Sequence, residues 1–224
     1  PRALADIPER IILCRTSMQR IYSPSGSFKE FPVAGRVLDR RAFDRHLAYR
    51  AAIAGARILP ATRARLAEGQ LQLSGRFGGA VRPRLIIGAD GPHSMISRAM
   101  GNPVQETGIC LEYEMVDVDI DPQAAEMYFS ARYAPGGYAW IIPLGHDSAN
   151  VGVGVRASYL SGQRLPQILD RFIAEHPLGR EKLMSLRAKV LKSFRRFLIS
   201  STFSMVIPPI RCAASAPNRQ KQGP

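Results

Sequence analysis

Between Leu111 and Val155 the chain is organised as short apolar runs of period two, and this constrains its fold more than any other feature. Leu111, Tyr113 and Met115 alternate with Glu112 and Glu114, and Val151, Val153 and Val155 alternate with Gly152 and Gly154. A period of two sends successive side chains to opposite faces of a strand. Between these runs, Met127–Tyr133 and Tyr138–Ile142 flank the turn Ala134-Pro135-Gly136-Gly137, which predicts a hairpin. After Met115 the parity flips, so that Val116, Val118 and Ile120 alternate with Asp117, Asp119 and Asp121; such a flip predicts a bulge. The expectation is a curved antiparallel sheet with glycines where a partner approaches closely.

A helix is predicted behind this sheet, because Leu165, Ile168, Leu169, Phe172 and Ile173 recur at helical spacing up to His176-Pro177. Ahead of it, Ile11–Cys14, Phe28–Phe31 and Val33–Val37 read as short strands around Ser23-Pro24-Ser25-Gly26. Asp39 stands at an N-cap, and Phe43, Leu47, Ala51 and Ala54 predict an amphipathic helix closed by Gly55. Residues 57–87 predict a small antiparallel ribbon ending in a buried strand, Leu85-Ile86-Ile87. No internal repeat is visible.

Composition is that of a globular protein, with 46% hydrophobic and 22% charged residues, and excludes disorder and collagen. The net charge of +13 taken whole suggests nucleic acid or an anionic membrane surface. Its distribution points elsewhere, because residues 180–224 hold ten of the 31 basic residues and only Glu181 among the 18 acids. That tail carries +9, while residues 1–179 carry an ordinary +4. After Glu181 the spacing of Leu183, Leu186, Val190, Leu191, Phe194 and Leu198 is partly helical, and the polar, Pro-containing end predicts an unstructured terminus. Cys14, Cys110 and Cys212 are too few and too far apart for a disulfide framework, and the four histidines have no zinc-ligand spacing. A reducing, cytoplasmic setting is expected. No apolar run reaches the length of a membrane span, and a first residue other than Met hints at a fragment.

The strongest local signal is Leu85-Ile86-Ile87-Gly88-Ala89-Asp90-Gly91-Pro92-His93-Ser94-Met95-Ile96-Ser97-Arg98. Gly91 has no side chain to keep a polar ligand from the backbone, Asp90 can accept from a ribose hydroxyl, and Ser94 can cap a following helix. The same residues also fit a plain strand-to-helix turn. Tyr138, Trp140 and Ile142 share a strand face, and Gly152 and Gly154 leave room beside them, as an apolar, aromatic-lined slot requires. They fit equally a sheet core under the helix at 165–176.

Taken together, Asp39-Arg40-Arg41-Ala42-Phe43-Asp44-Arg45-His46-Leu47 and the later Gly88-Ala89-Asp90-Gly91 turn resemble the para-hydroxybenzoate-hydroxylase-like FAD oxidoreductases. Pro135-Gly136-Gly137-Tyr138-Ala139-Trp140-Ile141-Ile142-Pro143, with the Val151–Val155 strand, resembles the P-x-x-Y-x-W-x-F-P signature of geranylgeranyl reductases within that superfamily. Ile142 replaces the usual Phe, which keeps bulk and removes an aromatic face. Tyr22-Ser23-Pro24-Ser25-Gly26 is similar to the family's Y-S-P-x-G stretch, and the resemblance covers roughly residues 10–180. It implies an α/β (α+β) fold: a partial FAD-binding, Rossmann-like domain over 1–104, an antiparallel-sheet substrate domain over 105–180, and an atypical basic tail over 181–224. By motif position it implies FAD contacts from Arg40, Asp90 and Gly91, supported by Ser94 and Arg98. A prenyl slot is implied at Tyr138, Trp140, Ile142, Pro143, Gly152 and Gly154.

The family's GxGxxG unit and its second FAD turn, of Gly-Asp-Ala type, are both absent from these 224 residues. The resemblance therefore implies part of an FAD-dependent reductase that saturates isoprenoid double bonds of a prenyl lipid or pigment precursor. NAD(P)H or another reductant would supply the electrons. Peripheral membrane contact is compatible with such a substrate, and no specific nucleic acid is expected. An FAD-dependent aromatic monooxygenase and a non-catalytic basic lipid- or nucleic-acid-binding fragment stand as the alternatives.

Overall fold

The computed structural model describes residues 7–91, 93–102 and 108–176, so the basic tail, Pro92 and the expected boundary at residue 104 lie outside the described residues. Nine strands and three helices follow in the order β1 (Ile12–Tyr22), β2 (Phe28–Leu38), α1 (Arg40–Ile53), β3 (Thr62–Ala67), β4 (Gln70–Gly75), β5 (Gly79–Val81), α2 (Met95–Ala99), β6 (Gly108–Val116), β7 (Ala124–Tyr128), β8 (Tyr138–Pro143), β9 (Ser148–Arg156) and α3 (Leu165–Glu175). They form a mixed α/β fold with a six-stranded sheet, β2-β1-β7-β8-β9-β6, and a separate antiparallel sheet, β3-β4-β5. The β6–β9 portion is antiparallel, as the period-two runs predict. The β1–β2 hairpin joins it through a parallel pairing of Met18–Tyr22 with Ala124–Tyr128, so one sheet draws strands from both sides of residue 104.

Packing on the first face of this sheet is set by α3. Ile168, Leu169, Phe172 and Ile173 are buried there, on the spacing read from the sequence. They meet Ile141, Ala149, Val151, Val153, Leu111 and Met115 in one core cluster. Each fully buried aliphatic or aromatic side chain contributes about 1.5–3 kcal/mol. Pro166 sits in the first turn of α3, where a missing N–H costs no helical hydrogen bond.

The parity flip after Met115 is resolved by the backbone. Asp117 adopts φ +59°, Val116 is left exposed, and Val118 returns to the core with its N–H donating to the Asp147 carbonyl at 3.0 Å. The run Met127–Tyr133 is strand only to Tyr128. Beyond it the Ala134 N–H donates to the Ser130 carbonyl at 2.8 Å, turning the chain and burying Ala134, while the Tyr133 hydroxyl donates to Glu175. Arg20 ties the hairpin to the sheet by donating to Glu30 at 2.6 Å, Asp121 at 2.7 Å and Glu126 at 3.2 Å.

The expected buried strand at residues 85–87 is corrected. Leu85-Ile86-Ile87 is neither strand nor buried: Leu85 is 76% and Ile87 83% exposed, and no described strand pairs with the segment. Helix α1 forms where predicted, with the Asp39 carboxylate accepting from the Arg41 and Ala42 N–H groups at 2.9 and 3.0 Å. Its apolar stripe is not covered, however, since no α1 residue is buried among the described residues. Helical spacing fixes which residues share a stripe and says nothing of what packs on it. No described helix is long and apolar enough to cross a membrane.

The end of α3 gives a pH prediction. The His176 ring lies edge-on to Tyr128 with centroids 4.8 Å apart, its Nδ1 is buried with no hydrogen-bond partner among the described residues, and burial holds its pKa below the ordinary histidine value. The fold therefore favours neutral His176, while the unfolded chain binds a proton below about pH 6.5. Stability present above that pH is lost as pH falls through the depressed folded pKa. Chemical denaturation from pH 7.5 to 5 should show a falling midpoint in the wild type and a flatter profile in His176→Leu; identical slopes would refute the assignment.

Candidate functional site

The sheet face opposite α3 carries the aromatic residues singled out by the sequence. Ala139 and Ile141 of β8 point into the core with α3, so the period of two sends Tyr138, Trp140 and Ile142 to the other side. This removes the alternative that they are core beneath α3. Phe129, Tyr138 and Trp140 form a row with centroid separations of 5.6 and 5.9 Å. Burial raises the pKa of the Tyr138 hydroxyl, favouring its neutral form. Pro143 ends β8 fully buried opposite Ala149.

The room left by Gly152 and Gly154 is filled by the Trp140 indole. A Cβ on Gly152 would collide with Cζ2 and lie 2.5 Å from Cε2 of that ring, and one on Gly154 would lie 3.5 Å from Cζ3. Trp140 is consequently only 5% exposed, and its Nε1–H donates to Asn150 Oδ1 at 2.7 Å. Asn150, which the motif reading passed over, has the same strand parity as Gly152 and Gly154, and that parity was the signal available for it. Cys110 joins this face beside Gly154, where burial and Glu112 push its thiol up to about 11, so it stays protonated and unreactive at neutral pH. The arrangement is an apolar, aromatic-walled surface suited to a long hydrocarbon.

The expected cofactor residues lie on other elements. Asp90 Oδ1 accepts from the Ser94 hydroxyl at 2.5 Å and Oδ2 from the Met95 N–H at 2.7 Å, and these bonds hold the carboxyl below its usual range. Ser94 Oγ in turn accepts from the Ser97 N–H at 2.9 Å and caps α2 as expected. Gly91 has φ +75° with no described atom within 4 Å of where a Cβ would stand, while its carbonyl accepts from the Ser94 N–H at 3.0 Å. Arg98 is exposed in the last turn of α2, and Arg40 opens α1 with its guanidinium 3.1 Å from Asp44. A held, exposed carboxylate beside a glycine fits the ribose edge of a dinucleotide. No group of His, Cys, Asp and Glu among the described residues could hold a metal. A cleft of about 420 Å³ bordered by Cys14, Pro122 and His146 contains none of these residues.

The fit between Trp140 and Gly152 yields a prediction. In Gly152→Ala the added methyl meets the indole on one side and the Leu111 carbonyl, 2.9 Å away, on the other. Overpacking of this kind costs about 1–3 kcal/mol. Trp140 is the only tryptophan, so its emission reports the change directly. A red-shifted emission and a lower unfolding midpoint are expected; wild-type values in both would contradict the packing.

Comparison with known proteins places these features. Residues 106–190 match the family model described as the geranylgeranyl reductase catalytic domain. The chain is 40% identical over 179 residues to digeranylgeranylglycerophospholipid reductase 2 of Methanopyrus kandleri, covering 75% of this chain and 45% of that protein. A geranylgeranyl bacteriochlorophyll reductase-like protein from Thermoplasma acidophilum superposes with a TM-score of 0.69 at 32% identity, over 80% of this chain and 50% of that one. A triple mutant of the flavin-dependent brominase Bmp2 superposes with a TM-score of 0.61 at 16% identity, over 78% of this chain and 49% of that one, and so shares the fold. The chain spans about half the length of the relatives it matches. These matches support reading the chain as part of a protein of the geranylgeranyl reductase family.

Proposed function

We propose that the protein containing this chain is an FAD-dependent reductase that saturates carbon–carbon double bonds in the isoprenoid chains of a prenyl lipid, with NAD(P)H or another reductant as electron source. The observation that carries the reading is the aromatic sheet face of Tyr138 and Trp140, turned away from α3 and lying within the region that matches the reductase catalytic domain. The names of the relatives support the same chemistry, and they do not favour the aromatic-monooxygenase or basic-fragment alternatives.

An isoprenoid has many apolar groups and almost no hydrogen-bonding ones, so its recognition rests on shape and burial. Tyr138, Trp140 and Ile142 form the wall that the hydrocarbon would meet, Gly152 and Gly154 seat the indole, and Pro143, which shares the parity of Ala139 and Ile141, lies on the α3 side and not on this wall. Orientation of the alkene and exclusion of water are the protein's contributions. Asp90, Gly91, Ser94, Arg98 and Arg40 are the residues of this chain that would contact FAD. When bound, FAD supplies the hydride equivalent. A lipid substrate brings the enzyme to a membrane surface peripherally, in a cytoplasmic setting.

The test uses the longer protein that contains this chain. Anaerobic incubation of the reduced flavoprotein with a geranylgeranyl lipid should give products heavier by two hydrogens per double bond. Trp140→Ala should lower kcat/KM by about 10- to 200-fold, the range for altered apolar contacts in a binding pocket. Oxygen-dependent hydroxylation without alkene reduction would overturn the assignment.

A further inference from the structure

We infer that Asn150 is a positioning residue, one that fixes the plane and direction of the Trp140 indole and thereby sets the wall of the slot. The inference rests on the prenyl-slot reading above and adds to it a polar residue whose part is to hold the indole. Three positions of one β9 face meet three points of one ring. Asn150 Oδ1 accepts from Nε1–H at 2.7 Å, Gly152 lies under the Cε2–Cζ2 edge, and Gly154 lies beside Cζ3. The long axis of the indole therefore runs along β9.

The strand register explains why the ring takes this course. Trp140 pairs with Met127 on β7 and with Gly152 on β9, while Asn150 pairs with Ile142. On the β7 side Met127 fills the space, its sulfur receiving the Gln19 amide at 2.8 Å. On the β9 side glycine leaves space, so the ring leans there. The glycines alone admit the indole in either sense, because an sp²-attached ring has a broad, roughly two-fold torsion. The diagonal neighbour Asn150 distinguishes the two, by offering an acceptor at 2.7 Å to the buried indole N–H. Removing the acceptor lets the ring turn toward another partner and changes the wall that the isoprenoid meets.

Two measurements on the 224-residue chain test this, using Asn150→Leu, which has no acceptor, and Asn150→Asp, which keeps one. Asn150→Ala replaces the leucine variant should that one not fold. The first is hydrogen exchange of the single indole N–H by nuclear magnetic resonance. Exchange about tenfold faster in the leucine variant, corresponding to one net hydrogen bond, and near wild type in the aspartate variant is expected. Equal protection in all three overturns the inference. The second is calorimetric binding of geranylgeraniol: about tenfold weaker for leucine, within about twofold of wild type for aspartate. No further loss is expected when Asn150→Ala is added to Trp140→Phe, which lacks the N–H. A wild type that does not bind geranylgeraniol defeats the prenyl-slot reading and this inference with it. Equal binding by wild type and the leucine variant leaves that reading standing and overturns the positioning role.

Discussion

The contact between α3 and one face of the six-stranded sheet divides every strand beneath it into two functions. Phe172, Ile168 and Leu169 seal Ile141, Val151 and Val153 into a core from which water is excluded. Because side chains alternate along a strand, the residues between these are forced to the other face: Trp140 between Ala139 and Ile141, Gly152 between Val151 and Val153. A register slip by one residue would exchange the two sets, exposing the core and burying the aromatic face under α3. The core and the aromatic face are thus two consequences of a single register.

That register is reinforced at its far edge. Arg20 joins Glu30, Asp121 and Glu126, and Tyr22 stacks on Tyr128 at 4.2 Å, which in turn packs edge-on against Phe172. Asp121 and Glu126 lie 101 and 106 residues from Arg20 in sequence, and with the stacked tyrosines they hold the parallel β1–β7 junction in place. Tyr22 belongs to the Tyr-Ser-Pro stretch read from the sequence as a family feature; here its ring serves packing on the α3 side of the sheet.

Local periodicity made α3, the β6–β9 strands and the Asp39 and Ser94 caps legible, because each depends on residues within a few positions of one another. It also placed Tyr138, Trp140 and Ile142 on one face. It did not reveal which face α3 would cover, since that depends on the connection between β9 and α3 and not on either pattern. Leu85-Ile86-Ile87 misled because an apolar tripeptide becomes a strand only beside a neighbour with free backbone groups. The β1–β7 pairing was hidden for the same reason, being parallel and distant in sequence. Asn150 was missed because a polar residue ahead of a glycine-rich strand resembles an ordinary turn exit, although its parity matches that of Gly152. The charge of +13, which first suggested an anionic partner, is concentrated in residues 180–224, whereas the aromatic face lies at residues 129–154.

The most direct measurement is photolabelling of the longer protein with a geranylgeranyl analogue bearing a diazirine on its hydrocarbon, followed by mass-spectrometric mapping. The account predicts adducts on the face of Tyr138, Trp140 and Ile142, suppressed by excess unlabelled geranylgeraniol. Adducts confined to the α3 side of the sheet, or none that competition suppresses, would contradict it.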